Sequence, residues 1–249
     1  MPTKIKLLWV ACILVVFFGF IYFSVLGQID VARQKGVARV EQQSRINEKQ
    51  KVQKPENKGR TFKVDPIKEI KELNALGKYK EAVQYAEGVA TLNPNQVKIY
   101  TWWGISLVKA GKREEAIEKF VRATELDSTY AKTYLSWGLT LAMDGKSEEA
   151  IEKYQKVIEL NPESSNAYAY WGAALGQLNQ HAQAVEKLER ALEIHPNNAN
   201  VFGVLIDSLF HQKMYGQAWN AVKKARNARV AVAESSLKRL AEVFPEPAG

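Results

Sequence analysis

The chain has 249 residues, a hydrophobic fraction of 46% and a formal net charge of +8 at pH 7. That charge is uneven: residues 1–64 contain 12 Lys and Arg against 4 Asp and Glu, whereas residues 65–249 contain 23 of each. The larger part therefore lacks the net basicity of a nucleic-acid-binding domain. The single cysteine excludes a disulfide within one chain, so cysteine usage leaves the redox compartment open.

The first predicted element is a transmembrane helix. After a short basic tail (residues 1–6), twenty positions from Leu7 to Leu26 carry no charged residue. About 20 apolar residues rising 1.5 Å each span the ~30 Å hydrocarbon core of a bilayer. We predict a single membrane-spanning helix over residues 7–26. A cleavable signal peptide is the alternative, although its apolar region is usually only ~7–15 residues long.

Residues 27–62 are predicted to be a basic, polar linker. Residues 28–60 contain no aromatic side chain and many Gln, Lys and Arg, so they cannot bury enough apolar surface to fold. The basic residues nearest the membrane are expected to contact anionic lipid headgroups, each contributing about 1 kcal/mol.

The side of the membrane on which the rest of the chain lies stays open. Lys4 and Lys6 precede the apolar segment, whereas Arg33, Lys35 and further basic residues come after it, which favours a cytoplasmic domain. A short basic tail before an apolar run is also the pattern of a signal anchor, which exports the residues on its C-terminal side. We expect a single-pass protein of a bacterial inner membrane, with this orientation undecided.

Beyond the linker, the sequence repeats every 34 residues. Residues that share this period are expected to pack the repeats together: small residues let two helices approach, and large tryptophans fill the space between units. They are Ala82, Ala116, Ala150, Ala184 and Ala218, with the pairs Trp103-Gly104, Trp137-Gly138 and Trp171-Gly172. Turn glycines recur at Gly77, Gly111 and Gly145, with Asn179 in the fourth equivalent place.

This pattern resembles the tetratricopeptide repeat (TPR) family. The resemblance implies an all-α, right-handed solenoid of five helix–turn–helix units over residues 63–230, divided as 63–96, 97–130, 131–164, 165–198 and 199–230. Residues 231–249 then supply a capping helix and tail. The terminal units depart most from the pattern, as terminal repeats do. In the first unit, Pro66 is suited to the first turn of a helix, so that helix is predicted to begin there.

The triplet Gly145-Lys146-Ser147 matches the end of a phosphate-binding loop. Such a loop also needs a glycine five residues before Gly145, where this chain has Thr140, and a preceding strand, where the pattern is helical. We predict no nucleotide site. Gly145 is instead expected to end one helix in a left-handed conformation. Ser147 is expected to cap the next, with Glu149 paired to Lys153.

No catalytic or metal-binding constellation is evident. His181, His195 and His211 lie in different contexts without a carboxylate or cysteine at metal-ligand spacing, and His181 and His195 are expected on the solvated surface. No nucleophile and base can be identified either. The sequence therefore predicts a protein that is not an enzyme and has no cofactor and no metal.

The TPR resemblance implies that the first helix of each unit lines a concave groove. The residues that it assigns to partner binding are Lys98, Thr101, Trp102, Ile105, Val108, Lys132, Leu135, Leu139, Met143, Tyr170, Ala173 and Phe210. TPR domains that clamp chaperone tails have asparagines where this chain has Ile105 and Leu139, so such a clamp is not expected. The apolar floor suits an amphipathic helix or an apolar peptide. Alternatively, some of these residues only pack, or meet the chain's own N-terminal segment.

Two functions remain open. The chain is predicted to be a membrane-tethered adaptor that binds a protein partner and helps to assemble or localise a membrane-associated complex. The alternative is a structural scaffold that self-associates into homo-oligomers.

Overall fold

The computed structural model describes residues 65–247, which form one compact unit made of helices. In chain order these helices are α1 (Pro66–Ala75), α2 (Tyr79–Leu92), α3 (Val97–Lys109), α4 (Arg113–Leu126), α5 (Ala131–Met143), α6 (Ser147–Leu160), α7 (Ser165–Gln177), α8 (His181–Ile194), α9 (Ala199–His211), α10 (Tyr215–Asn227) and α11 (Glu234–Val243). The first ten pair into five hairpins, and each hairpin packs against the next. The predicted all-α solenoid is confirmed, and α1 begins at Pro66 as expected.

The turn inside each hairpin repeats one backbone conformation. The middle residue of this three-residue turn has a positive φ in all five copies: 75° at Gly77, 81° at Gly111, 75° at Gly145, 58° at Asn179 and 59° at Lys213. At the third turn, the Gly145 N–H donates to the Ala142 carbonyl (3.1 Å) and the Lys146 N–H to the Leu141 carbonyl (3.0 Å). These bonds satisfy carbonyls at the helix end that would otherwise lack partners. The left-handed helix end predicted at Gly145 is confirmed.

Replacing Gly145 with alanine should lower the free energy of unfolding by about 1 kcal/mol, because a β-carbon disfavours the left-handed region. Gly145→Asn should cost less, since Asn179 takes the same conformation one repeat later. Urea unfolding followed by circular dichroism measures both. Equal stability of wild type and Gly145→Ala would contradict the idea that this turn requires a left-handed residue.

The capping role predicted for Ser147 is wrong. The residue that precedes α6 is Lys146, and Ser147 is the first residue inside the helix. Its side chain is buried, and its hydroxyl donates to the Gln177 side-chain oxygen of the next hairpin at 2.6 Å. Lys153 lies beside Glu152 (3.6 Å) and over the Trp137 ring rather than in the predicted pair with Glu149. The Ser147 side chain therefore joins two hairpins and does not cap a helix.

The core is a chain of apolar clusters, one for each pair of neighbouring hairpins. The first lies around Ile70 and Ile99, the next around Phe120, the third around Tyr154, and the last around Leu188 and neighbouring α9 and α10 side chains. The repeat tryptophans connect them, because each packs against two successive clusters. A helix pair without neighbours would leave these faces in water, so adjacent hairpins stabilise one another.

The final helix, α11, closes the last hairpin. Leu240 is fully buried in the last cluster, where Leu237 also packs. The Trp219 indole N–H donates to the Phe244 carbonyl at 2.8 Å and fixes the chain just after α11. Ala241, the residue after Leu240, is exposed.

Within residues 65–247, no helix is both long enough and apolar enough to cross a bilayer. The predicted membrane helix (7–26) and linker (27–62) lie outside the described residues.

Candidate partner-binding surface on the first helices

Charge is divided between the first and second helices of the hairpins. Helices α3, α5 and α7 contain no Asp or Glu, and their only formally charged side chains are Lys98, Lys109 and Lys132. The second helices α4, α6 and α8 carry the acids, in sequences such as REEAIEKFVRATEL and SEEAIEKYQKVIEL. A ligand lying along α3, α5 and α7 would therefore meet apolar side chains and lysines.

Most of the predicted binding residues are partly accessible on these first helices. Trp102, Ile105, Val108, Leu135, Leu139, Tyr170, Ala173 and Phe210 are half-buried, and Lys98, Lys132 and Met143 are exposed. Two of the aromatic members contact other helices: the Tyr170 ring lies 6.0 Å from the buried Tyr154 ring, and Arg239 of α11 lies over the Phe210 ring at 4.4 Å. The role of this row of side chains in binding a partner stays a prediction.

Thr101 does not belong to this surface. Its side chain is fully buried between α3 and α5, where its hydroxyl lies 2.7 Å from that of Thr133, which is also fully buried. It also donates to the Val97 carbonyl at 3.1 Å. Its prediction as a partner contact is wrong because α5 of the next hairpin covers this side of α3.

Among the residues predicted to pack the repeats, the alanines and glycines are buried and the three tryptophans are half-buried. The five alanines spaced by 34 residues are fully buried. A β-carbon at Gly104 would lie 2.5 Å from the Phe120 ring, and one at Gly138 would lie 2.6 Å from the Tyr154 ring. The three repeat tryptophans each lie under a lysine of the second helix: Lys119 over Trp103 (4.6 Å), Lys153 over Trp137 (4.7 Å) and Lys187 over Trp171 (4.7 Å).

Sequence reasoning missed Lys71 of α1. Its ammonium lies 5.0 Å from the centre of the Trp102 ring, and that of Lys132 lies 4.9 Å from the same centre. Desolvation, together with the nearby charge of Lys71, lowers the pKa of Lys132. Lys71 occupies the 34-residue register of Ile105 and Leu139, so extending the groove positions back into the first unit would have found it.

The histidines are only partly as predicted. His195 is exposed, but His181 is half-buried and stacks on His211 of α9, with ring centres 4.4 Å apart and planes 5° apart. Desolvation, and secondarily the neighbouring His211, lowers the pKa of His181. Over residues 65–247, no three His, Cys, Asp or Glu side chains are placed to hold a metal ion.

Two comparisons with known proteins identify the type of repeat. The family model described as tetratricopeptide repeat matches residues 103–165 and 135–199. The fold is a TPR solenoid. Proteins built from TPRs are generally non-enzymatic scaffolds, which agrees with the expectation of a protein-interaction role.

Solved structures show the same TPR fold. The structure of pilF from Pseudomonas aeruginosa matches with a TM-score of 0.66 and 22% identity, over 73% of this chain and 83% of that one. MamA from Desulfovibrio magneticus RS-1 matches with a TM-score of 0.58 and 18% identity, over 68% and 97%. MamA of MSR-1 matches with a TM-score of 0.54 and 27% identity, over 66% and 92%. No curated protein sequence matches significantly.

Proposed function

We propose that this protein is a membrane-tethered TPR adaptor that binds an amphipathic helix or an apolar peptide of a protein partner along its first helices. The observation that carries the proposal is the row of half-buried apolar side chains that crosses four successive hairpins, from Trp102 through Leu139 and Tyr170 to Phe210. A contiguous apolar patch on a soluble domain usually marks an interaction site.

Two further features support this function. Met143, with 56% of its surface exposed, offers a flexible thioether that adapts to varied apolar partners. The apolar segment between Leu7 and Leu26 would hold the domain at a bilayer, and the basic residues of the linker would contact anionic lipids there. Bound at a membrane, such a domain would assemble or localise a complex on one side of it.

The test is capture of the partner from membranes by the full-length protein. Leu139→Glu places a charge in the middle of the row, and we expect it to remove a discrete partner that the wild type retains, because an unpaired carboxylate against an apolar ligand is costly to desolvate. Val121→Glu is the matched control, since Val121 is an exposed apolar residue on a second helix, α4. A bound set that is the same for all three proteins would contradict a binding site on the first helices.

The second candidate is a scaffold that self-associates, and the same apolar row favours it if the partner is another copy of this chain. Sedimentation of residues 63–249, whose described part forms one compact unit, separates the two functions. Concentration-dependent association that Leu139→Glu abolishes would favour the scaffold. A monomer at high concentration would exclude it and leave the adaptor.

A further inference from the structure

Three consecutive hairpins bring two lysines onto one indole ring. Lys71 comes from α1, Trp102 from α3 and Lys132 from α5, and the two ammonium groups lie 5.0 and 4.9 Å from the centre of the indole ring. A single cation over an aromatic ring is stabilised by the electrons of the ring. Besides desolvation, the charge of Lys71 is close enough to contribute to the lowered pKa of Lys132, so the two cations repel each other, and an anion bound near both would reduce that repulsion.

No anion of the described part of the chain fills this place. Seven other lysines between residues 65 and 247 have a carboxylate within 4.0 Å, as in Lys78–Glu81 (3.1 Å), Lys112–Glu115 (2.8 Å) and Lys156–Glu159 (2.7 Å). Within the same range, neither lysine at Trp102 lies within 4.0 Å of a carboxylate oxygen. On α1 itself, Glu72 lies 3.7 Å from Lys68. The positive charge at Trp102 is therefore available to a ligand.

The α9 end of the apolar row carries an acidic residue instead of lysines. Asp207 of α9 occupies the 34-residue register of Lys71, and between them Ile105, Leu139 and Ala173 hold the same register with apolar side chains. The Asp207 carboxylate is bound by α11, through the Ser236 hydroxyl at 3.2 Å and the Arg239 guanidinium. Asp207 is thus neutralised by residues of the same chain. Among residues 65–247, Lys71 and Lys132 have no carboxylate within 4.0 Å to neutralise them.

We propose that Lys71 and Lys132, which both lie at Trp102, form a receptor for a carboxylate of the protein partner. The partner segment would then carry an acidic residue at one end of an apolar stretch. Its acidic end would lie at α1, α3 and α5, and its apolar side chains would run toward Tyr170 and Phe210. This inference rests on the proposed function, because it names the chemistry and direction of the ligand in the same groove. The continuous apolar row beyond Trp102 favours a peptide over an isolated lipid headgroup.

The test is selection from a displayed library of random peptides on the full-length protein. Wild type should enrich peptides with Asp or Glu beside a run of apolar residues. The double variant Lys71→Gln, Lys132→Gln should still enrich apolar peptides without preferring the acid. For a selected acidic peptide, the double variant should bind at least about tenfold more weakly, since charge-assisted hydrogen bonds are lost. Raising the salt concentration should weaken binding to wild type and have little effect on the double variant.

Lys109→Gln is the matched control. Lys109 is also a lysine of a first helix over an aromatic ring, 5.6 Å from the centre of Tyr79, but it is the one cation at its ring within the described residues. This variant should retain both the acid preference and the affinity. Variant folding is checked by circular dichroism, and all three lysines are exposed.

The outcomes separate this inference from the proposed function. Enrichment of apolar peptides without an acid preference in wild type would overturn the carboxylate receptor and leave the adaptor standing. If Leu139→Glu enriches no peptide, and if the acid preference of the wild type is lost without Lys71 and Lys132, the results support both the adaptor function and the carboxylate receptor. Binding of phosphatidylserine vesicles that needs Lys71 and Lys132, without any acidic peptide, would assign the site to a lipid headgroup and overturn the inference. No enrichment of any peptide would count against both.

Discussion

Replacing Gly104 with alanine should lower the free energy of unfolding by about 2 kcal/mol, although alanine is the better helix former. Gly104 lies where α3 crosses α4, and its missing side chain leaves room for the fully buried Phe120 ring. A β-carbon there would sit 2.5, 2.8 and 2.9 Å from three atoms of that ring. These separations are far below van der Waals contact, so either the ring or the helix must move. Urea unfolding of residues 63–249, followed by circular dichroism, gives the difference.

Gly88→Ala is the matched control for that substitution. Gly88 lies inside α2, and a β-carbon there would meet no heavy atom within 4 Å. Alanine should therefore stabilise the helix by about 0.5–1 kcal/mol, since glycine loses more backbone entropy on folding. The two changes are chemically identical and have opposite expected signs. If Gly104→Ala were as stable as Gly88→Ala, the close packing of α3 on α4 could not be what requires this glycine.

The effect at Gly104 should spread beyond one hairpin. In a solenoid each hairpin contacts mainly its neighbours, and stability is the sum of the hairpins and their interfaces. Phe120 belongs to the cluster that Trp103 and Trp137 join to the clusters on either side. A displaced Phe120 ring would therefore weaken two interfaces as well as its own hairpin.

The repeated part of the fold was predictable because one set of physical constraints recurs every 34 residues. The turn residue needs a positive φ, and the sequence places glycine or asparagine there four times. The helix crossing leaves no room for a β-carbon, and the sequence places Gly104, Gly138 and Gly172 there. Each constraint is local or lies within one hairpin, so composition and spacing report it directly.

Contacts between hairpins were harder to predict. Ser147 has the residue type of a helix cap, but its hydroxyl bonds to Gln177 of the next hairpin. Thr101 has a family groove position, but α5 covers it. Lys71 lies in the first unit, whose pattern departs most from the rest, and its proximity to Trp102 and Lys132 depends on three hairpins stacking. The spacing of residues within one repeat does not show which side chains of another hairpin they will contact.

Replacing Thr101 with valine should lower the free energy of unfolding by about 2 kcal/mol, because it leaves a buried hydroxyl without an acceptor. The Thr101 hydroxyl donates to the Val97 carbonyl at 3.1 Å, so it accepts the hydrogen bond from Thr133 at 2.7 Å. Both side chains are fully buried, and no water can replace the lost acceptor without opening the interface between α3 and α5. Denaturant unfolding of the variant measures the loss.

Because the Thr101 hydroxyl accepts from Thr133 and donates to Val97, the two single valine substitutions should lower the stability by different amounts. Thr133→Val should cost less than Thr101→Val, since the Thr101 hydroxyl keeps its bond to Val97 when its donor is removed. Valine at both positions should cost less than the sum of the single changes, because no unpaired donor remains in an apolar site of the same shape. Additive losses, or equal losses in the two single variants, would show that the hydroxyls do not bond to each other. A coupled pair would establish that the two hydroxyls stabilise the contact between α3 and α5, a link between neighbouring hairpins that the 34-residue repeat does not encode.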